Sequence, residues 1–241
     1  MLKKRLIFVL YHMDGLFHLS RNFRLQRVGD EHWLIEKFNF QSIGMYIDEL
    51  MILDVTRNPQ ERLENSDFKD AVRYLMRKTF VPLTIGGGLR SMNDVEQCFE
   101  LGADKVLLNT SVVSQPQFVC ECVRQFGSQA VVSGIDVNEK NGDYISRLSN
   151  ARDEGLPLAE HLGRAVELGA GEVMINSIDR DGTGIGFDTK LTQACGALPV
   201  PLIVTGGAGK PEHFSEILSL PEVDAVVTGN LFNFIGKGFE N

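Results

Sequence analysis

The chain has 241 residues, a length that suits one large α/β domain or two small ones. Its formal net charge of −8 and its pI of about 5.2 argue against broad binding to nucleic acid or to an anionic membrane, because both need clustered lysine and arginine. An anionic small molecule is compatible with this composition, since one site needs only local positive potential and backbone N–H groups.

Neither a disulfide framework nor a metal site is predicted. The four cysteines form no C-x-x-C pair, which is typical of reduced thiols in a cytosolic protein. The first apolar run lacks a small-residue cleavage site and is too short to span a bilayer, so we interpret it as a β-strand. Cysteines and histidines do not cluster with acids at ligand spacing. We therefore expect a soluble, cytoplasmic protein without a metal or other cofactor.

Eight short apolar runs follow one another along the chain, and most are followed by a glycine or polar turn and a helical pattern. Their nearly continuous apolar character is typical of strands covered on both faces. The predicted strands are residues 6–10, 49–54, 81–85, 105–109, 130–135, 172–176, 201–205 and 225–228, and the predicted helices are residues 67–78, 91–101, 115–126, 157–168 and 211–218. With no linker between the units, the pattern predicts a single (β/α)₈ TIM barrel over residues 1–241. A doubly wound open sheet is the alternative.

An internal repeat supports the barrel. The segment that begins VPLTIGGG at Val81 resembles the segment that begins VPLIVTGG at Val200, and both continue with a helical pattern and a second strand. We therefore predict two half-barrels, residues about 1–120 and about 125–241, whose loops lie on opposite sides of one mouth.

Glycine clusters follow strands at equivalent points of this repeat. Backbone N–H groups approach a phosphate closely only where no Cβ intervenes, and barrels often hold phosphate in the loops after their strands. Tight turns without a ligand are the alternative. Two such clusters suit an elongated ligand with a phosphate at each end. The predicted phosphate-binding residues are Gly87, Gly88, Asn109 and Thr110 on one side, and Gly206, Gly207, Gly229 and Asn230 on the other.

Acidic residues also stand at strand ends. Asp136 ends the fifth strand and Asp181 follows the sixth, where a carboxylate can move a proton or hold a hydroxyl group. Capping or loop hydrogen bonding is the alternative role. The repeat aligns LIFVLYH with VVSGIDV, which places Tyr11 opposite Asp136. A tyrosine, with an ordinary pKa near 10, is a poor base at neutral pH.

Charged residues begin four of the strands. Inward-pointing side chains at strand starts meet at the bottom of a barrel, where two acids and two bases can close a ring of ion pairs. Such a ring is typical of a stabilising plug, but buried ion pairs are weak evidence for stability and a gate is the alternative. The four residues are Arg5, Glu49, Lys105 and Glu172.

Several stretches closely resemble the cyclase subunit of imidazole-glycerol-phosphate synthase, over residues about 3–234. They include GGGLRSMNDVEQCFELGADKVLLNT, SIDRDGT and GGAGKPEHF. The resemblance implies a (β/α)₈ barrel that forms a heterodimer with a class I glutaminase. Ammonia from that partner passes through the barrel core to a bis-phosphorylated ribulosyl-imidazole precursor, which is cleaved and cyclised.

The resemblance also implies roles for single residues. The two glycine clusters, with their small polar neighbours, would hold the two phosphates of the ligand. Asp136 matches a catalytic acid and Asp181 a second acidic contact. The charged ring matches the ionic gate for ammonia, and Asp104 matches a residue that faces the glutaminase.

The chain departs from the family pattern at the mouth. Tyr11 stands where the family has its other catalytic aspartate, Leu19 stands where it has a substrate-loop lysine, and the family's long last helix is nearly absent. This combination resembles the branch of the family associated with amidation of surface-polysaccharide sugars. In that branch, glutaminase and cyclase-like subunits supply ammonia to a separate N-acetyl-sugar amidotransferase, which turns an acetamido group into an acetamidino group.

Three hypotheses follow. In the first, the chain conducts ammonia for sugar amidation and has lost its cyclase activity. In the second, it is a working cyclase of histidine biosynthesis, since Asp136, Asp181 and the phosphate loops are present. In the third, it is a regulatory barrel that binds a phosphorylated metabolite and activates a glutaminase.

Overall fold

The computed structural model describes residues 3–38, 45–56, 66–148 and 155–229. These residues form eleven strands and eight α-helices, with one 3₁₀ turn at Ser128–Ala130. The strands are β1 (Arg5–Met13), β2 (Leu16–Arg21), β3 (Arg24–Gly29), β4 (Glu49–Asp54), β5 (Leu83–Gly86), β6 (Lys105–Leu108), β7 (Val131–Lys140), β8 (Asp143–Arg147), β9 (Glu172–Ser177), β10 (Leu202–Thr205) and β11 (Ala225–Thr228). The helices are α1 (Glu31–Phe38), α2 (Ser66–Met76), α3 (Met92–Glu100), α4 (Thr110–Ser114), α5 (Pro116–Phe126), α6 (Leu158–Glu167), α7 (Thr189–Ala194) and α8 (Pro211–Leu218).

Eight of the strands close into a parallel barrel in the order β1-β4-β5-β6-β7-β9-β10-β11. Closure comes from the last strand, β11, which pairs in parallel with the first, so that Ile7 lies opposite Val227. The predicted (β/α)₈ barrel is confirmed, and the open-sheet alternative is wrong because an open sheet has two free edges where this one has a closed ring.

Two strands extend past the barrel rim as antiparallel hairpins. Strand β1 continues to Met13 and pairs with β2, with Tyr11 opposite His18, and β3 pairs with the outer side of β2. Strand β7 continues to Lys140 and pairs with β8. Both hairpins lie at the carboxyl ends of the barrel strands, which is the end where barrels of this class place their sites.

The five predicted helices begin within one residue of their predicted starts, whereas α1, α4 and α7 were not predicted. At α3, Ser91 Oγ accepts a hydrogen bond from the Asp94 backbone N–H while the Asp94 carboxylate accepts one from the Ser91 N–H, which satisfies two orphan donors of the first turn. Helix α8 begins at Pro211, where the missing N–H costs nothing. No helix in the described part of the chain is long and apolar enough to cross a membrane.

Successive side chains of each barrel strand point to opposite faces, so the apolar residues form two layers. On β1, Phe8 and Leu10 point outward and pack in the cluster beneath the helices, whereas Ile7 and Val9 point into the barrel. The inner layer fills the lumen between the bottom of the barrel and its mouth. It consists of Ile7, Val9, Met51, Leu53, Leu107, Val132, Met174, Ile203, Ala225 and Val227.

Candidate functional site

A cavity of about 530 Å³ opens at the carboxyl ends of the barrel strands. Its floor belongs to the inner apolar layer, and its polar wall carries residues that the sequence analysis singled out. Those predicted residues are Tyr11, Gly87, Gly88, Asn109, Thr110 and Asp136. The structure therefore brings one predicted phosphate-binding half and one predicted catalytic acid to a single space.

Asp136 is held by two amides from the neighbouring strands. Asn109 Nδ2 donates to Asp136 Oδ2 at 2.8 Å, and Asn176 Nδ2 donates to Asp136 Oδ1 at 2.9 Å. Burial raises the pKa of Asp136, the charge of Asp181 raises it further, and the two amide hydrogen bonds partly oppose the rise. The net shift of the pKa is upward, so Asp136 gives up a proton less readily than an ordinary aspartate does.

Tyr11 lies near both acids at the mouth, since it lines the large cavity together with Asp136 and the small cavity together with Asp181. Burial raises the pKa of Tyr11 far above its ordinary value near 10, and the charges of Asp181 and Asp136 raise it further. The phenol is therefore neutral at physiological pH. It can donate a hydrogen bond but cannot act as a base.

The other predicted phosphate-binding half encloses much less space. A separate cavity of about 30 Å³ is lined by Gly206, Gly207, Gly229 and Asp181, and Tyr11 lines both this cavity and the large one. By the measure of about 10–15 Å³ per water centre, the small cavity has room for about two water molecules. Asn230, which was predicted together with these residues, lies outside the described part of the chain.

The glycine turns themselves are alike in the two halves. Gly87 and Gly206 occupy equivalent repeat positions with φ of +114° and +96°. A Cβ on Gly87 would lie 2.0 Å from the Asp54 carbonyl oxygen, and a Cβ on Gly207 would lie 2.1 Å from that of Gly186. Backbone packing therefore requires glycine at both turns with or without a phosphate.

The β2–β3 hairpin is anchored on Asp181 and borders both cavities, since Ser20 lines both of them and Phe23 and Leu25 line the large one. Ser20 Oγ donates to Asp181 Oδ2 at 2.6 Å, and the Phe23 backbone N–H donates to the same oxygen at 2.9 Å. The Asn22 N–H donates to the Asp181 carbonyl oxygen at 2.9 Å. Gly182 packs so closely that a Cβ there would lie 2.6 Å from Arg21 Cα. Asp181 Oδ2 thus accepts two hydrogen bonds from the hairpin.

At the other end of the barrel, the four predicted charges form a complete ring. Arg5 Nη1 lies 2.5 Å from Glu49 Oε1 and 2.8 Å from Glu172 Oε1. Lys105 Nζ lies 3.1 Å from Glu49 Oε2 and 3.0 Å from Glu172 Oε2. Each cation therefore bridges both carboxylates. Burial lowers the pKa of Arg5, but the two glutamates outweigh it and the net shift is upward.

Asp104 is exposed beside this ring and has a structural role shared with two other aspartates. Each of the three precedes a barrel strand, and its carboxylate accepts a hydrogen bond of 2.8 to 3.0 Å from a backbone N–H at the start of a neighbouring strand. The pairs are Asp48 with Leu6, Asp104 with Leu83 and Asp224 with Leu202. The predicted contact of Asp104 with a glutaminase stays a prediction.

Sequence reasoning missed two residues of the site. Asn176 lies directly opposite Asp136 in the β7–β9 register, so its place at the end of the sixth strand was the available signal. Ser20 gave no comparable signal, because its bond to Asp181 joins residues 161 positions apart. Among the residues that the structure describes, no group of three or more His, Cys, Asp or Glu side chains could hold a metal ion.

Comparison with known proteins gives the family. A family model described as "Histidine biosynthesis protein" matches residues 23–237. A protein of Parasynechococcus marenigrum (strain WH8102), named "Putative imidazole glycerol phosphate synthase subunit hisF2", is 41% identical over 242 residues, which cover 100% of this chain and 89% of that protein. A protein of Saccharolobus solfataricus named "Imidazole glycerol phosphate synthase subunit HisF" is 39% identical, over 97% of this chain and 91% of that protein. A protein of Alkaliphilus metalliredigens with the same name is 36% identical, over 97% of this chain and 92% of that protein.

The chain therefore belongs to the histidine biosynthesis protein family and is HisF-like. The resemblance to the cyclase subunit of imidazole glycerol phosphate synthase, predicted from the sequence motifs, is confirmed at this level. These comparisons do not extend to the finer assignment, a role in sugar amidation.

Proposed function

We propose that this chain is the ammonia-conducting synthase subunit of a glutamine amidotransferase complex and that it has lost the cyclase activity of its family. It receives ammonia from a glutaminase partner at the charged ring and releases it at the mouth for a separate N-acetyl-sugar amidotransferase. One observation carries the proposal: the ring is complete, while Tyr11 stands near Asp136 and Asp181 at the position that matches an aspartate of the family.

The route for ammonia runs along the barrel axis. The ring closes the bottom, and the inner apolar layer lies between the ring and the large cavity. Neutral ammonia can cross an apolar layer, whereas ammonium is excluded because an unpaired charge in such surroundings is very costly. Passage requires the ring to open, and we assign that opening to docking of the glutaminase on this face.

The chemistry of the mouth supports the loss of cyclase activity. A cleavage and cyclisation sequence needs one group that gives a proton and another that takes one. Asp136 suits the first role better than an ordinary aspartate, since its raised pKa keeps more of it protonated near neutral pH. Tyr11 does not suit the second, because its pKa is raised well beyond physiological pH. Asp181 is bound to the hairpin by Ser20 and Phe23.

A working cyclase is the second candidate function. The observation in its favour is the intact setting of Asp136, with both carboxylate oxygens hydrogen-bonded in a cavity large enough for a small molecule. The names of the relatives also point to imidazole glycerol phosphate synthase.

The deciding experiment is a cyclisation assay with free ammonium salt in place of glutamine. The chain is purified with its cognate glutaminase and given the bis-phosphorylated imidazole precursor, so that only the chemistry at the mouth is tested. We expect no turnover for the wild type and partial recovery for Tyr11→Asp, with Tyr46→Asp as the control because Tyr46 is exposed at the surface. Wild-type turnover of about 1 per second or faster would establish the cyclase instead.

A second assay tests the conducting role. The glutaminase, this chain and the amidotransferase are combined with an N-acetyl sugar, and formation of the acetamidino product is followed with glutamine or with ammonium salt. We expect Lys105→Met to change the glutamine-driven rate while the ammonium-driven rate stays the same, because free ammonia bypasses the ring. A product that forms from glutamine equally well without this chain would contradict the proposal.

A further inference from the structure

The β2–β3 hairpin differs from the rest of the surface in its charge and in its exposed apolar side chains. We propose that this hairpin, residues 16–29, is the docking surface for the acceptor enzyme that uses the ammonia, and that the enzyme meets it with an acidic, partly apolar surface. The inference rests on the proposed function and deepens it, since it names the contact surface and the chemistry of the partner.

The hairpin is basic in an acidic chain. Residues 16–29 contain three arginines and no lysine, aspartate or glutamate, whereas the whole chain has a net charge of −8. Arg21, Arg24 and Arg27 are all exposed, and none of them forms an ion pair with a residue that the structure describes. Arg73 and Arg164, by contrast, each pair with an acid of their own helix. An acidic partner therefore meets unpaired positive charges here, and such complementarity raises the rate and the specificity of association.

Apolar side chains are exposed on the same hairpin. Phe23 is 46% exposed and Leu25 is 36% exposed. Both also line the large cavity, so the apolar surface continues from the cavity onto its rim. Ile185, which is 65% exposed, lies on the loop after β9, and that loop packs against Arg21 through Gly182. Single exposed apolar residues are common, but apolar surface bordered by polar groups is typical of a protein interface.

The hairpin is held in one position before any partner arrives. Ser20 Oγ and the Phe23 N–H donate to the Asp181 carboxylate, and the Asn22 N–H donates to the Asp181 carbonyl oxygen. A surface that is already ordered loses little conformational entropy on binding, so more of the contact free energy remains as affinity.

The position of the hairpin favours the acceptor enzyme over other occupants. The charged ring, to which we assign the glutaminase, lies at the opposite end of the barrel. Amines are mostly protonated at neutral pH, so ammonia released into open water becomes ammonium, which has no free electron pair for attack on carbon. The acceptor must therefore cover the mouth. An enzyme that covers the mouth meets the hairpin, because Ser20 lines both cavities there.

Direct binding tests the surface. The complex of this chain with its glutaminase is immobilised, and binding of the cognate N-acetyl-sugar amidotransferase is measured at increasing salt. We expect the wild-type affinity to fall as salt screens the charges. Arg24→Glu and Arg27→Glu should each weaken binding about tenfold, whereas Arg24→Lys keeps the charge and should bind nearly as the wild type does. Arg124→Glu, an equal change at an exposed position on α5, is the matched control and should have no effect.

Product formation separates this inference from the proposed function. With glutamine as the source of ammonia, Arg24→Glu should lower the rate of acetamidino product at low amidotransferase concentration, and a higher concentration should restore it, because docking alone is weakened. With ammonium salt the variant and the wild type should give equal rates.

Each contrary outcome has one meaning. If product forms from glutamine equally well without this chain, the proposed function fails and the docking inference fails with it. If product requires this chain, but neither salt nor Arg24→Glu and Arg27→Glu changes binding of the amidotransferase, the docking inference alone is overturned. It is also overturned if sedimentation shows a dimer of this chain that Arg24→Glu dissociates, because a second copy would then occupy the hairpin.

Discussion

Ser20 Oγ and Asp181 Oδ2 are joined by a 2.6 Å hydrogen bond across 161 positions of the chain. The bond connects the hairpin that extends from the first barrel strand to the loop after the sixth. The family resemblance would assign Asp181 to substrate binding. In this structure the carboxylate of Asp181 accepts hydrogen bonds from the hairpin.

Loss of that bond should loosen the hairpin. We expect Ser20→Ala to lower the free energy of unfolding by about 2 kcal/mol, because a buried charged acceptor loses one donor. Amide hydrogen exchange at Phe23 should become faster at the same time. Ser219→Ala, which removes an exposed bond at the end of α8, is the matched control. Unchanged exchange at Phe23 would show that the backbone bonds alone hold the hairpin.

The charged ring should be sensitive to loss of one member. Lys105→Met leaves two carboxylates sharing Arg5, and we expect chemical denaturation to show a loss of about 3 kcal/mol. Adding Glu49→Gln to this variant restores the charge balance and should recover part of the loss. Lys3→Met removes an exposed pair with Asp48 and should cost less than about 1 kcal/mol. Equal effects of the two lysine variants would mean that the ring is not a coupled unit.

The side-chain amides of Asn109 and Asn176 should keep the pKa of Asp136 lower than it would be without them. Both hydrogen bonds favour the charged carboxylate, so Asn176→Ala should raise the pKa of Asp136 above its wild-type value. The measurement is a carbon-13 NMR titration of the aspartate carboxyl groups. Asn138→Ala is the control, since Asn138 Nδ2 donates to the Glu139 carbonyl oxygen and not to Asp136. A lower pKa in Asn176→Ala would contradict the hydrogen-bonding scheme.

Buried His161 should make stability depend on pH. Burial, together with a smaller effect of the charge of Arg164, lowers the pKa of His161 to about 4. The unfolded chain, with a histidine pKa near 6.5, binds more protons between these values, so stability falls as the pH falls from about 6.5 to about 4, by about 3 kcal/mol in all.

The test compares urea unfolding at neutral and at mildly acidic pH. His161→Leu should remove its share of the pH dependence without a large loss at neutral pH, because neither ring nitrogen has a hydrogen-bond partner in the described part of the structure. His32→Gln, at an exposed position, should keep the wild-type dependence. If the leucine variant keeps the full dependence, another group is responsible.

The barrel itself could be predicted from the sequence because its signals are local. Each buried strand is a short apolar run with turn residues after it, and all eight predicted runs overlap an observed barrel strand. The charged ring could be predicted for a similar reason, since inward positions at strand starts follow from alternation along single strands. The two half-barrels remain a prediction from the repeat.

The hairpins at the mouth were not predicted, although two of their turns left a signal. Asp14-Gly15 and Asn141-Gly142 both have positive φ at the two central residues, as short hairpin turns require, and both pairs are typical hairpin sequences. The turn at Asn22 and Phe23 also has positive φ at both residues, but phenylalanine rarely adopts such a conformation, so this turn could not be recognised from its residues.

The unequal mouth could not be predicted by the same means. Both glycine clusters look alike in sequence, and their turns look alike in structure. What differs is the packing around the turns, which at the small cavity includes Tyr11, Ser20 and Asp181. Such packing depends on contacts between residues far apart in the chain.

Among the residues that the structure describes, strand β3 lies at one end of the hydrogen-bonded order and pairs on one side only, with β2. An open strand edge is a template on which a second chain can add a strand and begin aggregation. Arg24 and Arg27 are exposed on this strand, and Arg21 is exposed at the end of β2. Their like charges would face one another if two copies met edge to edge. The hairpin that narrows the mouth therefore also carries its own protection against self-association.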